Sequence, residues 1–273
     1  MLRVGKIPFL NLLPIFRALE TEFPLADVEY VAGHPAELNR RIREGELDIA
    51  PSSSIEYGKH PERYLLCPGI SISSRAKVMS VILFSRRPLD DLPGDPIAVT
   101  GSSDTSLVLL EILLREFSGR RNALVRTSLP PAEALRRHPA YLAIGDEAIR
   151  ESLAGTADHV IDLGEWWNRE TGSPFVFALW IVSREALEKK GPDVRRFART
   201  LLAAKKTARD WVGRGDRRLP VPGWIPREFL AQYWENLSWD LSAEIEGLTL
   251  FFRLAAKIGR IPAAPPLRFL ELD

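Results

Sequence analysis

Arg3-Val4-Gly5-Lys6-Ile7-Pro8-Phe9-Leu10-Asn11 reads as a short apolar strand, expected over Leu2 to Ile7, that gives way beside two prolines to a polar amide. In an open α/β sheet, ligands lie beyond the carboxyl ends of the strands, so an amide placed there is aimed at a cleft. Asn11 is therefore the first candidate site residue. It also reads as a cap for the turn before a helix opening at Pro14-Ile15-Phe16, because Asn competes well for local backbone bonds. Spacing alone leaves both readings open.

Outward from this strand, further strands are expected at Val28 to Val31, Asp48 to Pro51, Leu65 to Leu66, Val78 to Ser85, Pro96 to Thr100, Ala140 to Ile144 and Phe175 to Val182. Helical segments alternate with them, which is the pattern of an α/β protein with mainly parallel strands. One helix spans His34 to Gly45 and another Asp104 to Phe117. Val78 to Ser85 and Phe175 to Val182 are long and apolar on both faces, as expected of strands that leave one sheet and enter another. They divide the chain into lobe one (1–85 plus 183–273) and lobe two (86–182), with hinge strands near 78–86 and 175–183. After Ser183 three amphipathic helices follow, Pro192 to Val212, Pro226 to Asn236 and Ser242 to Ile258, the last capped by Ser242. The proline-rich tail from Ile261 ends in Leu267-Arg268-Phe269-Leu270 and is expected to pack back onto lobe one.

The 273 residues are 45% hydrophobic and 27% charged, enough for one large core or two modest ones. Thirty-seven Lys and Arg against thirty-six Asp and Glu leave a net charge of +1, so no global field draws the chain to nucleic acid or a membrane surface. Any anionic ligand must then be held by local donors. A single cysteine, Cys67, excludes an internal disulfide, and four scattered histidines give no zinc spacing, so no metal is expected. Asn11 and two prolines interrupt the apolar start, which argues against a signal peptide. A cytoplasmic protein without a membrane span is the expectation.

Two strand ends repeat one design. Ile49-Ala50-Pro51-Ser52-Ser53-Ser54-Ile55-Glu56-Tyr57 and Ala98-Val99-Thr100-Gly101-Ser102-Ser103-Asp104-Thr105-Ser106 each run from strand through hydroxyl-rich turn to helix. Helix N-termini carry free N–H groups and a partial positive charge that suit a carboxylate. The second lacks both the Walker pattern and G-x-G-x-x-G, which disfavours nucleotides. Simple capping accounts for either turn alone; together, on facing lobes, the two turns with Ser52, Ser53, Ser103, Thr105 and Ser106 form a two-ended clamp for a small anion. Ser80 interrupts an apolar strand, where it either bonds backbone or faces the cleft. Asp146, after Ile144-Gly145, reads most simply as a helix cap and secondarily as a site residue. Trp166, Trp167 and Trp180 read as core, or as walls for a planar ring.

Together, Val4 to Asn11, Gly45 to Tyr57, Val78-Met79-Ser80-Val81, Asp104-Thr105-Ser106, Ile144-Gly145-Asp146 and Thr171 to Ala178 carry a resemblance that runs along nearly the whole chain. The chain resembles the menaquinone-biosynthesis proteins of the futalosine route. The resemblance implies an α/β, two-lobed type II periplasmic-binding-protein-like fold, with two mixed sheets flanked by helices and the ligand cleft between lobes. The chorismate dehydratase branch matches better, because Ile144-Gly145-Asp146 follows its pattern. The 1,4-dihydroxy-6-naphthoate synthase branch is expected to place a catalytic His in lobe two, and His138 lies before the strand. The resemblance implies a hydro-lyase that converts chorismate to 3-[(1-carboxyvinyl)oxy]benzoate without a cofactor, with Asn11 and Ser80 as active-site residues. The alternatives are the synthase and a non-enzymatic small-anion-binding protein. The partner expected is a small dianionic molecule, with a second copy of the chain, as a homodimer, compatible with the sequence.

Overall fold

A computed structural model of the chain describes residues 1–92 and 94–272; positions 93 and 273, within the expected lobes two and one, lie outside them. The first strand, β1 (Leu2–Lys6), is followed by α1 (Leu13–Thr21), β2 (Val28–Ala32), α2 (Pro35–Arg43), β3 (Ile49–Ser53), α3 (Ser54–Lys59) and β4 (Tyr64–Ser74). A second run comprises β5 (Val81–Ser85), β6 (Ile97–Thr100), α4 (Thr105–Ile112), β7 (Leu124–Thr127), α5 (Pro131–Arg137), β8 (Ala140–Ile144), α6 (Gly145–Ala154) and β9 (His159–Asp162). The chain then returns through α7 (Leu163–Thr171) and β10 (Phe175–Ser183) to α8 (Arg184–Gly213), α9 (Arg227–Asn236), β11 (Leu237–Ser238) and α10 (Ile245–Lys257).

Two mixed sheets result, ordered β11-β4-β10-β3-β1-β2 and β7-β6-β8-β5-β9. In each, three strands run parallel and an antiparallel strand lies beside them. The alternation of apolar and polar residues explains β1, whose Leu2 and Val4 are buried. Gly5 is needed there because a Cβ would lie 2.9 Å from the Ala50 Cβ of β3. Strands buried on both faces, such as β3, β5 and β8, have no alternation and form the centres of their sheets.

The expected hinge strands do not cross between sheets. Among the described residues β5 pairs with β8 and β9 alone, and β10 with β3 and β4 alone. Their apolar character comes from being central in one sheet each. By sheet membership lobe two therefore spans 81–162, not 86–182. The crossings are the segment 75–80 and α7, and Asp162 joins them. Its carboxylate accepts from the N–H groups of Val78 and Met79 on one crossing and of Gly164 and Glu165 on the other, at 2.7 to 3.2 Å. Gly164 sits where a Cβ would meet the Ala76 carbonyl at 2.7 Å, so the two crossings touch backbone to backbone. Met79 takes φ +60, the left-handed region that few non-glycine residues adopt.

In the C-terminal part α8 begins at Arg184 and is kinked at Lys190 (φ −136, ψ 29), just before Pro192, which has no N–H for the helix ladder. Ser242 does not cap α10; the helix starts at Ile245, behind Glu244. The tail packs on lobe one as expected: Leu66 N–H donates to the Arg268 carbonyl and Leu270 N–H to the Leu66 carbonyl. Among the described residues no helix is long and apolar enough to cross a membrane.

Candidate active site

A cleft lies between the two sheets, walled by residues of both lobes. Its lining brings together Asn11, Ser53, Ser80, Ser103, Thr105 and Ser106, from four stretches of sequence and both lobes. Phe9, Ile72, Val78, Val81, Ile144 and Phe177 are among the remaining lining residues, which are apolar. None of the described lining residues is an Asp, Glu, His, Lys, Arg, Cys or Tyr. The polar groups are amides and hydroxyls in a low-dielectric setting, where each donor acts more strongly than in water.

Asn11 does not cap α1, whose preceding residue is Leu12. It lines the cleft, and its Oδ1 is buried without a hydrogen-bond partner among the described residues. An orphaned amide oxygen beside a cavity is a group waiting for a donor, since most buried polar atoms in native proteins are paired.

Three of the hydroxyls are already engaged, as acceptors. Ser53 Oγ accepts from Asn39 Nδ2 at 2.8 Å, Ser103 Oγ from Ser106 N–H at 3.2 Å, and Thr105 Oγ1 from Ile55 N–H at 3.1 Å. A hydroxyl has one hydrogen and two lone pairs, so a hydroxyl that accepts in this way keeps its hydrogen for a ligand. The arrangement turns neutral side chains into a set of donors at the ends of β3 and α4, as an anion requires. The Ile55–Thr105 bond also joins the lobes. Asn39 joins them again, donating to Asp104 Oδ2 at 3.1 Å while its Oδ1 accepts from Ser53 N–H at 3.1 Å.

Ser52 is not part of the cleft. Alternation along β3 turns it to the opposite face from Ser53, and its hydroxyl is fully buried with no partner among the described residues. Asp146 does not line the cleft either, nor does it cap α6, where the position before the helix is Ile144. Its Oδ1 accepts from Leu10 N–H at 3.0 Å, across the lobes. Gly145 takes the cleft position in its place, at φ +62 and so close to the Phe9 ring that a Cβ would lie 2.9 Å from it. Trp166, Trp167 and Trp180 are core residues away from the cleft.

Ser80 is 3% exposed, and its hydrogen rests on the Val78 carbonyl at a long 3.4 Å. Its second partner was not legible in the sequence. The fully buried Tyr233 of α9 donates to Ser80 Oγ at 3.1 Å. Burial pushes the Tyr233 phenol well above its usual range; the Ser80 bond opposes this and the Asp146 charge adds to it. Nothing in the spacing of Pro226 to Asn236 distinguishes Tyr233 from an ordinary core residue. Among the described residues no group of His, Cys, Asp and Glu is arranged to hold a metal ion.

A family model described as menaquinone biosynthesis matches residues 2–257. A chorismate dehydratase of Thermus thermophilus is 35% identical over 167 residues, 55% of this chain and 60% of that protein. The matched region thus spans less than two thirds of that relative. A 1,4-dihydroxy-6-naphthoate synthase of the same organism is 28% identical over 220 residues, 77% of this chain and 78% of that protein. Among solved structures, the periplasmic aliphatic sulphonate binding protein of Escherichia coli matches with a TM-score of 0.64 at 18% identity, covering 96% of this chain and 94% of that one. At that identity the match shows the shared two-lobed fold.

Proposed function

The chain belongs to the menaquinone biosynthesis family, and from that premise we propose that it is a hydro-lyase that dehydrates chorismate to 3-[(1-carboxyvinyl)oxy]benzoate. The observation that carries the reading is the cleft itself: amide and hydroxyl donors converge from both lobes on an apolar cavity whose lining holds no charged side chain. Such a site orients a dianion and supplies little acid or base strength. That suits a reaction driven by the formation of an aromatic ring.

In the proposed step the C–H bond at the ether-bearing ring carbon breaks. Its electron pair becomes the third ring double bond, the neighbouring C–O bond breaks, and proton and hydroxide leave as water. Ser53, Ser103, Thr105 and Ser106 hold the carboxylates through their hydrogens. Asn11 and Ser80 bond the reacting edge, with Ser80 donating to the departing hydroxyl. One of the substrate's own carboxylates takes the proton, and the rigid clamp supplies the proximity that makes this transfer effective. The synthase reading is less well supported, because the lining contains no imidazole.

The deciding experiment incubates the purified protein with chorismate, without added metal or cofactor, and follows the diene absorbance with mass detection. A product lighter by one water, absent with Ser80→Ala, supports the dehydratase. Intact chorismate in a folded sample overturns it, and the cyclic futalosine derivative is then the substrate to try.

A further inference from the structure

Both residues assigned to the reacting edge are held from one short stretch near the C-terminus, and none of that stretch lines the cleft. Besides the Tyr233 bond to Ser80 Oγ, Trp234 Nε1 donates to the Leu10 carbonyl at 2.7 Å and Trp239 Nε1 to the Asn11 carbonyl at 3.0 Å. Asn236 Nδ2 lies 3.2 Å from the Sδ of Met79, the positive-φ residue that precedes Ser80. Tyr233, Trp234 and Trp239 are all buried.

A serine hydroxyl is a free rotor, and at Ser80 the internal acceptor at 3.4 Å is too distant to fix it. The Tyr233 phenol occupies one lone pair and stays protonated. Ser80 can therefore answer a bound ligand with its hydrogen while it keeps the Tyr233 bond. On the other side of the cleft the carbonyls of Leu10 and Asn11 are each taken by an indole, a group that only donates. Asp146 holds the Leu10 N–H. Both peptide planes next to the Asn11 Cα are thus anchored, and little is left for its side chain to do but face the cavity.

We propose that Tyr233 to Trp239 is the positioning element of this site: Tyr233 sets Ser80 as a donor toward the departing group, and the indoles of Trp234 and Trp239 lock the loop that carries Asn11. The direction of donation rests on the dehydratase reading, whereas the bracing geometry does not.

Tyr233→Phe keeps the ring and removes only the donor. The expected result is a kcat lower by about 10- to 100-fold, with KM within about threefold and melting temperature close to wild type. A purely structural phenol would move the melting temperature instead of kcat. A folded Tyr233→Phe with kcat within about twofold of wild type overturns the proposal. Should that variant fail to fold, Trp239→Phe, which removes only the indole N–H from the Asn11 carbonyl, decides in the same way. If wild type leaves chorismate intact, the dehydratase reading falls, and a crystal structure of Tyr233→Phe decides the brace. Ser80 Oγ turned to a new rotamer supports it, and an unmoved Ser80 overturns it.

Discussion

Leu10 N–H donates to Asp146 Oδ1 at 3.0 Å, tying the loop that carries Asn11 in lobe one to the first turn of α6 in lobe two. Burial raises the Asp146 carboxyl above its usual range, against the opposing Leu10 bond and the Arg150 charge. A raised carboxyl stabilises the fold most while protonated, below its unfolded value. That contribution is lost as pH rises through the folded value. Asp146→Asn stays neutral and keeps an oxygen for Leu10, so it should be more stable than wild type at neutral pH. The advantage should shrink as pH falls through the folded value, read as urea midpoints across the acid range. Asp146→Ala strands the Leu10 amide and should cost about 1 kcal/mol at neutral pH.

Asn11 separates function from stability. Its Oδ1 has no partner among the described residues, so Asn11→Ala removes no bond seen at that atom. Stability should change by less than about 0.5 kcal/mol, while kcat falls by about 100-fold. Thermal melting and turnover on one preparation test both halves. A variant that kept full turnover would remove Asn11 from the reacting edge.

Neighbouring serines of β3 should behave in opposite ways. Ser52 buries a hydroxyl with no partner and faces away from the cleft, so Ser52→Ala should be neutral or slightly stabilising, with unchanged KM. Ser53→Ala removes a cleft donor and the acceptor of Asn39, and should raise KM by about 10-fold or more. Steady-state kinetics on the pair is a direct check of the strand's register.

Asp162 binds the two crossings between lobes through four backbone N–H groups. Asp162→Ala leaves these donors without an acceptor and should lower the unfolding free energy by about 2–4 kcal/mol. Chemical denaturation measures this. A loss below about 0.5 kcal/mol would mean that water replaces the carboxylate and that the crossings are held elsewhere.

The elements that sequence reading locates are those with strong local signals. β1, β8 and α9 carry apolar runs bounded by prolines, glycines or polar turns, and the structure has them within a residue or two. Asn11, Ser53, Thr105 and Ser106 were legible because a strand end followed by a hydroxyl-rich turn is itself a local pattern. β7 and β9 were missed: each is four residues long, at the edge of the second sheet and only half-buried, so neither has a distinctive apolar run. β4 was seen only at its apolar start, since Ser71, Ser73 and Ser74 are buried strand residues whose hydroxyls find partners that sequence does not display.

By itself, the sequence determined the α/β class, the two hydroxyl-rich turns and the neutral chemistry of the candidate site, because each follows from residue type and spacing along the chain. Tertiary structure decided which strands belong to which sheet, that Ser53 and not Ser52 meets the cleft, and that Asp146 bridges lobes. It also brought Tyr233, 153 residues away, against Ser80. These are matters of register and of long-range packing. A one-residue change in where a strand is counted reverses its faces, and a buried hydrogen bond between distant segments leaves no periodic mark in either of them.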